Sequence, residues 1–175
     1  MATAAAAPTS RAAPTGAGIS GRIRALWTRL SALPGGKLLF SRLLGFMAPY
    51  TGSIAPRIVE LRPGYARVEM RDRRAVRNHL KSIHAIALAN LAEAASGLAV
   101  IYGLPDDVRG ILTGFSIEYL KKARGPLVAE CDQGTLDLGP ERREYEIEVL
   151  IRDRAGDVVA RARPRWLIGP AQSRG

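Results

Sequence analysis

The sequence predicts an α+β fold: an antiparallel sheet wrapped around one central apolar helix, preceded by a helical extension. Three observations carry this. The segment NHLKSIHAIALANLAEAASG, from Asn78 to Gly97, is apolar or small on nearly every helical face. Such a helix must be enclosed by other elements. Segments on both sides of it alternate apolar and polar residues with the period of two expected of half-buried strands. Before residue 49, two short runs instead space their apolar residues like helices.

In chain order, residues 1–18 lack an apolar core and are rich in Ala, Pro, Thr and Gly, which predicts a disordered tail. GRIRALWTRLSALPGG places Ile23, Leu26, Trp27, Leu30 and Leu33 on one stripe, with Arg22, Arg24 and Arg29 off it. Pro34-Gly35-Gly36 ends that helix, and KLLFSRLLGFMAP makes a second one that Pro49 stops. Residues 19–48 therefore read as basic amphipathic helices. They either cover the main domain as a flap or lie on a membrane surface. IAPRIVELRPGYARVEMRD alternates about a Pro63-Gly64 turn and predicts a hairpin. The Asn78–Gly97 helix follows. Four strand-like segments come next: GILTGFSIEYLKKA, GPLVAECDQGTLDLG, REYEIEVLIRD and GDVVARARPRWLIG. In the third, Tyr145, Ile147, Val149 and Ile151 share one face and Glu144, Glu146 and Glu148 the other. The main domain is thus expected over residues 49–168, with a short tail at 169–175.

Composition narrows the function. The chain has 175 residues, 47% apolar and 24% charged, as a globular domain has. Its single cysteine, Cys131, excludes an internal disulfide and a multi-cysteine metal site. No convincing secretory signal is present, although an arginine-bearing, acid-free start leaves an organelle transit peptide open. A cytoplasmic location is the expectation. The net charge of +10 is uneven: Met1 to Val59 contains no Asp or Glu but has Arg11, Arg22, Arg24, Arg29, Lys37, Arg42 and Arg57. This segment is either a solvated basic face or a peripheral contact with an anionic membrane. Nucleic acid is not expected as a partner, because aromatic residues are only 6% and no binding motif occurs. Ala85 to Leu104 is about long enough to span a bilayer, but Asn90, Glu93 and Ser96 interrupt it and a core helix is expected instead.

Glu93 is the residue that a core helix does not explain. A buried carboxylate costs several kcal/mol unless it is paired or used. Asn90, Glu93 and Gly97 fall on one stripe, with Ser96 beside it. That polar line faces either bulk water or a cleft or subunit boundary. His84 read alone is a hydrogen-bonded core histidine, and His79 is structural.

The strand order together with Asn78, His84, Ala85 and Glu93 resembles the hotdog-fold acyl-thioesterases, most closely the phenylacetyl-CoA thioesterase type and its relatives of unassigned function. The family motif has Asn six residues before a His, a small residue after the His, and an acid nine residues beyond the His. This chain keeps every spacing over roughly residues 49–168. It departs in having Ala85-Ile86 where the family usually has two glycines, and Glu where Asp is common.

The resemblance implies an acyl-CoA or acyl-carrier-protein thioesterase acting as a homodimer or dimer of dimers. It makes Glu93 the general base or nucleophile and the Ala85 N–H the oxyanion donor. Asn78 would hold the thioester or water, with His84 orienting Asn78, and Thr113 would add a hydroxyl from a second subunit. Lys121, Lys122 and Arg124 would meet coenzyme A phosphates. No separate cofactor or metal is implied, coenzyme A being part of the substrate. An alternative stays open: a non-catalytic acyl-thioester-binding or regulatory protein of the same fold.

Overall fold

A computed structural model describes residues 18–171. Three helices open the chain: α1 (Ile19–Ser31), α2 (Gly36–Met47) and the short α3 (Pro49–Ser53). Strands β1 (Arg57–Arg62) and β2 (Tyr65–Met70) form the expected hairpin. Its turn needs glycine at position 64, where φ is +72° and a Cβ would lie 1.8 Å from the Gly134 carbonyl oxygen. After one 3-10 turn (Arg74–Val76) comes α4 (Ala85–Gly103). Then follow β3 (Val108–Tyr119), β4 (Leu127–Asp132), β5 (Arg143–Glu146), β6 (Val149–Arg152) and β7 (Val158–Pro170). All pairings between strands are antiparallel, in the order β1-β2-β4-β6-β7-β3, with β5 also on β7.

The sheet wraps α4. Leu91, Ala92, Ala95, Ser96 and Ala99 are fully buried, and the small side chains let the strands come close. A Cβ on Gly97 would already sit 3.3 Å from the Trp166 ring of β7. By length and composition α4 could cross a membrane, but most of it is buried inside the sheet.

Three expectations change. The central helix starts at Ala85, not Asn78, because Asn78 forms a turn. Its Oδ1 accepts from the Leu80 N–H (2.9 Å), the Ser82 N–H (3.2 Å) and the Ser82 hydroxyl (3.1 Å). Lys81 takes a left-handed φ of +54° within that turn. Second, REYEIEVLIRD is two strands. Ile147 donates to the Pro164 carbonyl (3.0 Å), but proline has no N–H to return the bond, so the ladder breaks there. Third, the last strand runs to Pro170, one residue past the segment read from the sequence, since Gly169 and Pro170 still pair with Arg109 and Val108. The remaining tails, 1–17 and 172–175, lie outside the described residues.

The N-terminal helices are part of the body. Ile23, Trp27 and Phe40 are buried, and the last two rings meet edge-on at 5.0 Å. The Arg24 guanidinium donates to the Leu104 carbonyl at 2.6 Å and the Tyr102 carbonyl at 3.3 Å, groups that the end of α4 leaves unpaired. The Ser41 hydroxyl accepts from the Ile58 N–H (2.9 Å) and the Lys37 ammonium donates to the Val59 carbonyl (2.7 Å), which covers the β1 edge. Of the apolar stripe expected on α1, Leu33 is exposed, because the helix ends at Ser31 before the Pro34-Gly35 turn.

Candidate active site

The start of α4 is built by the loop before it. His84 is the N-cap, with φ −64° and ψ 139°, and its Nδ1 accepts from the Ile86 N–H at 3.1 Å. Acceptance at Nδ1 places the imidazole proton on Nε2. The Ala87 and Leu88 N–H groups bond back to the His84 carbonyl. Among the described residues, the Ala85 N–H donates to no protein group. An unpaired N–H at the positive end of a 19-residue helix suits a developing oxyanion. Ala85 is half-buried, and the Tyr119 hydroxyl at the end of β3 donates to its carbonyl (3.2 Å).

Asn78 and His84 share no hydrogen bond: the Asn78 oxygen is occupied by its turn and the His84 Nδ1 by the Ile86 N–H. The loop they share is fixed by Asp72. Its carboxylate accepts from Arg77 (2.6 Å) and from the Gly125 N–H (2.8 Å). The Arg77 contact holds the Asp72 carboxyl below the usual carboxylate range.

Glu93 is half-buried and, among the described residues, its carboxylate forms no hydrogen bond or ion pair. Its carboxylate lies along α4 toward Gly97: a Cβ there would be 3.7 Å from Glu93 Oε1. Burial pushes the Glu93 carboxyl above its ordinary range, favouring the protonated form. The rest of the expected polar line is differently used. Ser96 is fully buried, donates to the Glu93 carbonyl (3.0 Å) and accepts from the Trp166 indole (3.3 Å). Asn90 is buried and donates to the Tyr50 carbonyl of α3 (2.9 Å). The buried Asn90 Oδ1 has no partner among the described residues, and Glu93 is the one side chain on this line that makes no hydrogen bond at all. Ile86, on the same side of α4, is 53% exposed, so this face of the helix is not covered by the chain's own sheet.

Two other expected site residues have partners within the chain. Thr113 sits at a bulge in β3, and its hydroxyl donates to Glu144 (2.6 Å), with the Arg165 carbonyl a more distant alternative acceptor (3.2 Å), on the solvent side of the sheet. That geometry spends the hydroxyl within its own chain. Lys121 does not stand free for phosphate. Its ammonium bridges Asp153 (2.8 Å) and Asp157 (2.6 Å) and clamps the β6–β7 turn. Lys122 and Arg124 are exposed with no ion pair among the described residues. The Ala123 carbonyl between them accepts from the Ile83 N–H (2.9 Å), which brings both cations beside the start of α4.

Sequence reading missed Tyr119 and Asp72. Tyr119 reaches Ala85 across 34 residues and Asp72 reaches Gly125 across 53, although the Asp72–Arg77 pair is local. A recess of about 210 Å³ opens at the start of α4, lined by Tyr50, Ile54, Val76, Arg77, His84 and Asn90 among others. Among the described residues no group of three His, Cys, Asp or Glu side chains could hold a metal ion.

Residues 36–168 match the family model described as Domain of unknown function (DUF4442). No curated protein matches the chain. Among solved structures, a crystal structure of genomics target APC5556 is 34% identical at a TM-score of 0.74, covering 86% of this chain and 99% of that one. A protein of unknown function from Pseudomonas aeruginosa, described as a probable thioesterase, is 24% identical at 0.68, covering 79% and 97%. The phenylacetic acid degradation protein PaaI from Thermus thermophilus is 20% identical at 0.58, covering 68% and 97%. The antiparallel sheet on a central buried helix is thus the hotdog fold, as the motif resemblance implied.

Proposed function

The chain belongs to the DUF4442 family, and from that premise we propose that it hydrolyses acyl thioesters of coenzyme A or of a carrier protein. The single observation that carries this reading is Glu93: a half-buried carboxylate without a partner, its proton affinity raised by desolvation, on the uncovered face of the central helix. A structural role would leave it paired or solvated. A base for water is expected to look as it does.

The reading assigns the chemistry as follows. Glu93 removes a proton from water as the oxygen attacks the thioester carbonyl. The resulting oxyanion takes a hydrogen bond from the Ala85 N–H, worth about 3 kcal/mol at such sites. Collapse of the tetrahedral species breaks the C–S bond. The thiolate leaves and recovers the proton from Glu93. Lys122 and Arg124 would attract the phosphates of the leaving thiol.

One chain cannot supply both groups to one carbonyl. Eight residues of helix separate Ala85 from Glu93, about 12 Å at 1.5 Å per residue. The Glu93 carboxylate also points away from the helix start, toward Gly97. The reading therefore requires a homodimer, or a dimer of dimers, in which Glu93 of one protomer works with Ala85 of its partner. The β3 edge suits that interface. It ends the sheet, is 12 residues long, and among the described residues no helix backbone hydrogen-bonds to it, whereas α2 covers the opposite edge at β1. An open edge of that length calls for a partner.

A second reading is favoured by Ile86. Its exposed side chain follows the Ala85 N–H where the phenylacetyl-CoA thioesterase type usually has glycine, and it would narrow the approach to the donor. The protein would then bind acyl thioesters without cleaving them. A panel of acyl-CoAs with thiol-release detection, run beside calorimetric binding of a non-hydrolysable acyl-CoA analogue, separates the two. Thiol release that is lost in Glu93→Gln supports hydrolysis. Binding with no release supports the carrier role.

A further inference from the structure

A further concavity lies beside the N-terminal helices. It is a groove of about 1140 Å³ between α2, α3 and the β1–β2 hairpin. The helix above it is oriented in an unusual way. The inward side of α2 carries Phe40, Ser41 and the Lys37 contact to β1. Its outward side carries Leu39, Leu43 and Phe46 at spacings of four and three residues, with Leu38 and Arg42 beside them. Phe46 is 84% exposed, and Met47 and Tyr50 continue the patch into α3. A helix exposing its apolar side to water lacks its partner.

Charge points to the occupant. Lys37, Arg42, Arg57 and Arg71 rim the groove, and the only acid lining it is Glu69, which already faces Arg57 at 3.9 Å. No acid occurs anywhere from Met1 to Val59. A second copy would bring this basic rim against itself. An anionic surface with an apolar layer beneath it matches both features.

We propose that the α2–α3 face is a docking surface for an anionic phospholipid bilayer. The basic rim meets headgroup phosphates, and Leu39, Leu43, Phe46 and Met47 enter the acyl boundary. The recess at the start of α4 adjoins this face through Tyr50, whose ring is exposed in the patch and whose carbonyl holds Asn90. Docking would thus bring that recess beside the membrane surface. The inference does not rest on thioester hydrolysis, because vesicle binding is read without turnover.

The test is co-sedimentation of the full chain with vesicles of phosphatidylcholine, with and without about 30% phosphatidylserine. Leu39→Ser with Phe46→Ser removes the apolar contact, and Arg42→Glu reverses a rim charge; both lie on exposed positions and should leave the melting temperature unchanged. The expected result is binding only to the anionic vesicles, weakened about tenfold or more by Arg42→Glu and by high salt. The serine variant should bind on the order of a hundredfold less tightly. No binding to anionic vesicles, or binding that folded variants retain, overturns the proposal. Concentration-dependent self-association without vesicle binding, abolished by the same serines, also overturns it and gives the face to a second copy.

Discussion

Phe40 and Phe46 lie on the same helix, α2, and the structure gives them opposite fates: 1% and 84% exposed. If the N-terminal helices belong to the hydrophobic core, Phe40→Ala must cost what a core phenylalanine costs, about 3–5 kcal/mol. Part of that is the edge-on contact with Trp27, since aromatic pairs add about 0.5–1.5 kcal/mol beyond their buried area. In a chain of this size each kcal/mol moves the melting temperature by about 2–4 °C. The expected fall is therefore about 6–20 °C. Phe46→Ala removes a ring already in water and should change stability by no more than about 0.5 kcal/mol. Thermal unfolding followed by circular dichroism on both variants reads the contrast directly. A Phe40→Ala melt within 3 °C of the parent, by the same scale of about 2–4 °C per kcal/mol, would refute the claim that the extension is part of the folded body. Deletion of residues 1–48 would then be harmless rather than severely destabilising.

Glu93→Gln should stabilise the protein while removing activity. Burial raises the folded-state pKa of Glu93, so the folded protein resists its ionisation. The penalty is absent in acid, below the pKa of the unfolded chain, and grows as pH rises through the folded value. The variant should match the parent near pH 4 and melt above it at pH 8, and a parent that melts higher at both pH values contradicts the desolvation argument. Asp72 behaves oppositely, because Arg77 lowers its pKa. Asp72→Asn should cost about 1.5–3 kcal/mol at neutral pH, with the difference vanishing as pH falls below the ordinary carboxylate range; a pH-independent cost would argue against the ion pair. Light scattering of the purified chain at micromolar concentration should give a dimer or tetramer mass, and an active monomer would exclude a shared site.

Much of this architecture was legible in local patterns. The hairpin about Pro63-Gly64, the apolar central helix and the one-sided strand at Tyr145–Ile151 each declare themselves through a period of two or through uniform hydrophobicity. The helix start did not, because Asn78 caps a turn through its own side chain and Lys81 adopts a left-handed conformation that no pattern announces. The β5–β6 break was hidden too. It is caused by Pro164, a residue on the neighbouring strand. At the site, Glu93 stood out as a carboxylate among apolar neighbours, and the structure leaves it without a partner. The partners of Thr113 and Lys121 were hidden for a common reason. Both found acceptors far away in sequence, Glu144 for one and Asp153 with Asp157 for the other, and such pairings appear only after folding. The N-terminal stripe was visible, but its fastening through Arg24 to the end of α4 was not.

The most direct measurement mixes two inactive variants. Glu93→Gln removes the base. Ala85→Pro removes the oxyanion donor at a position where proline suits the first helical turn and His84 already has the extended ψ that a following proline needs. Each variant alone should lose thiol release from acyl-CoA by about a hundredfold or more. In co-expressed protein, half of the dimers are mixed, and each mixed dimer has one site with Glu93 and the Ala85 N–H both intact. Activity should return to about a quarter of the parent, as twofold symmetry requires. A mixture as inactive as its components, from variants shown to be folded and co-assembled, or full turnover by Glu93→Gln alone, would contradict a shared site centred on Glu93.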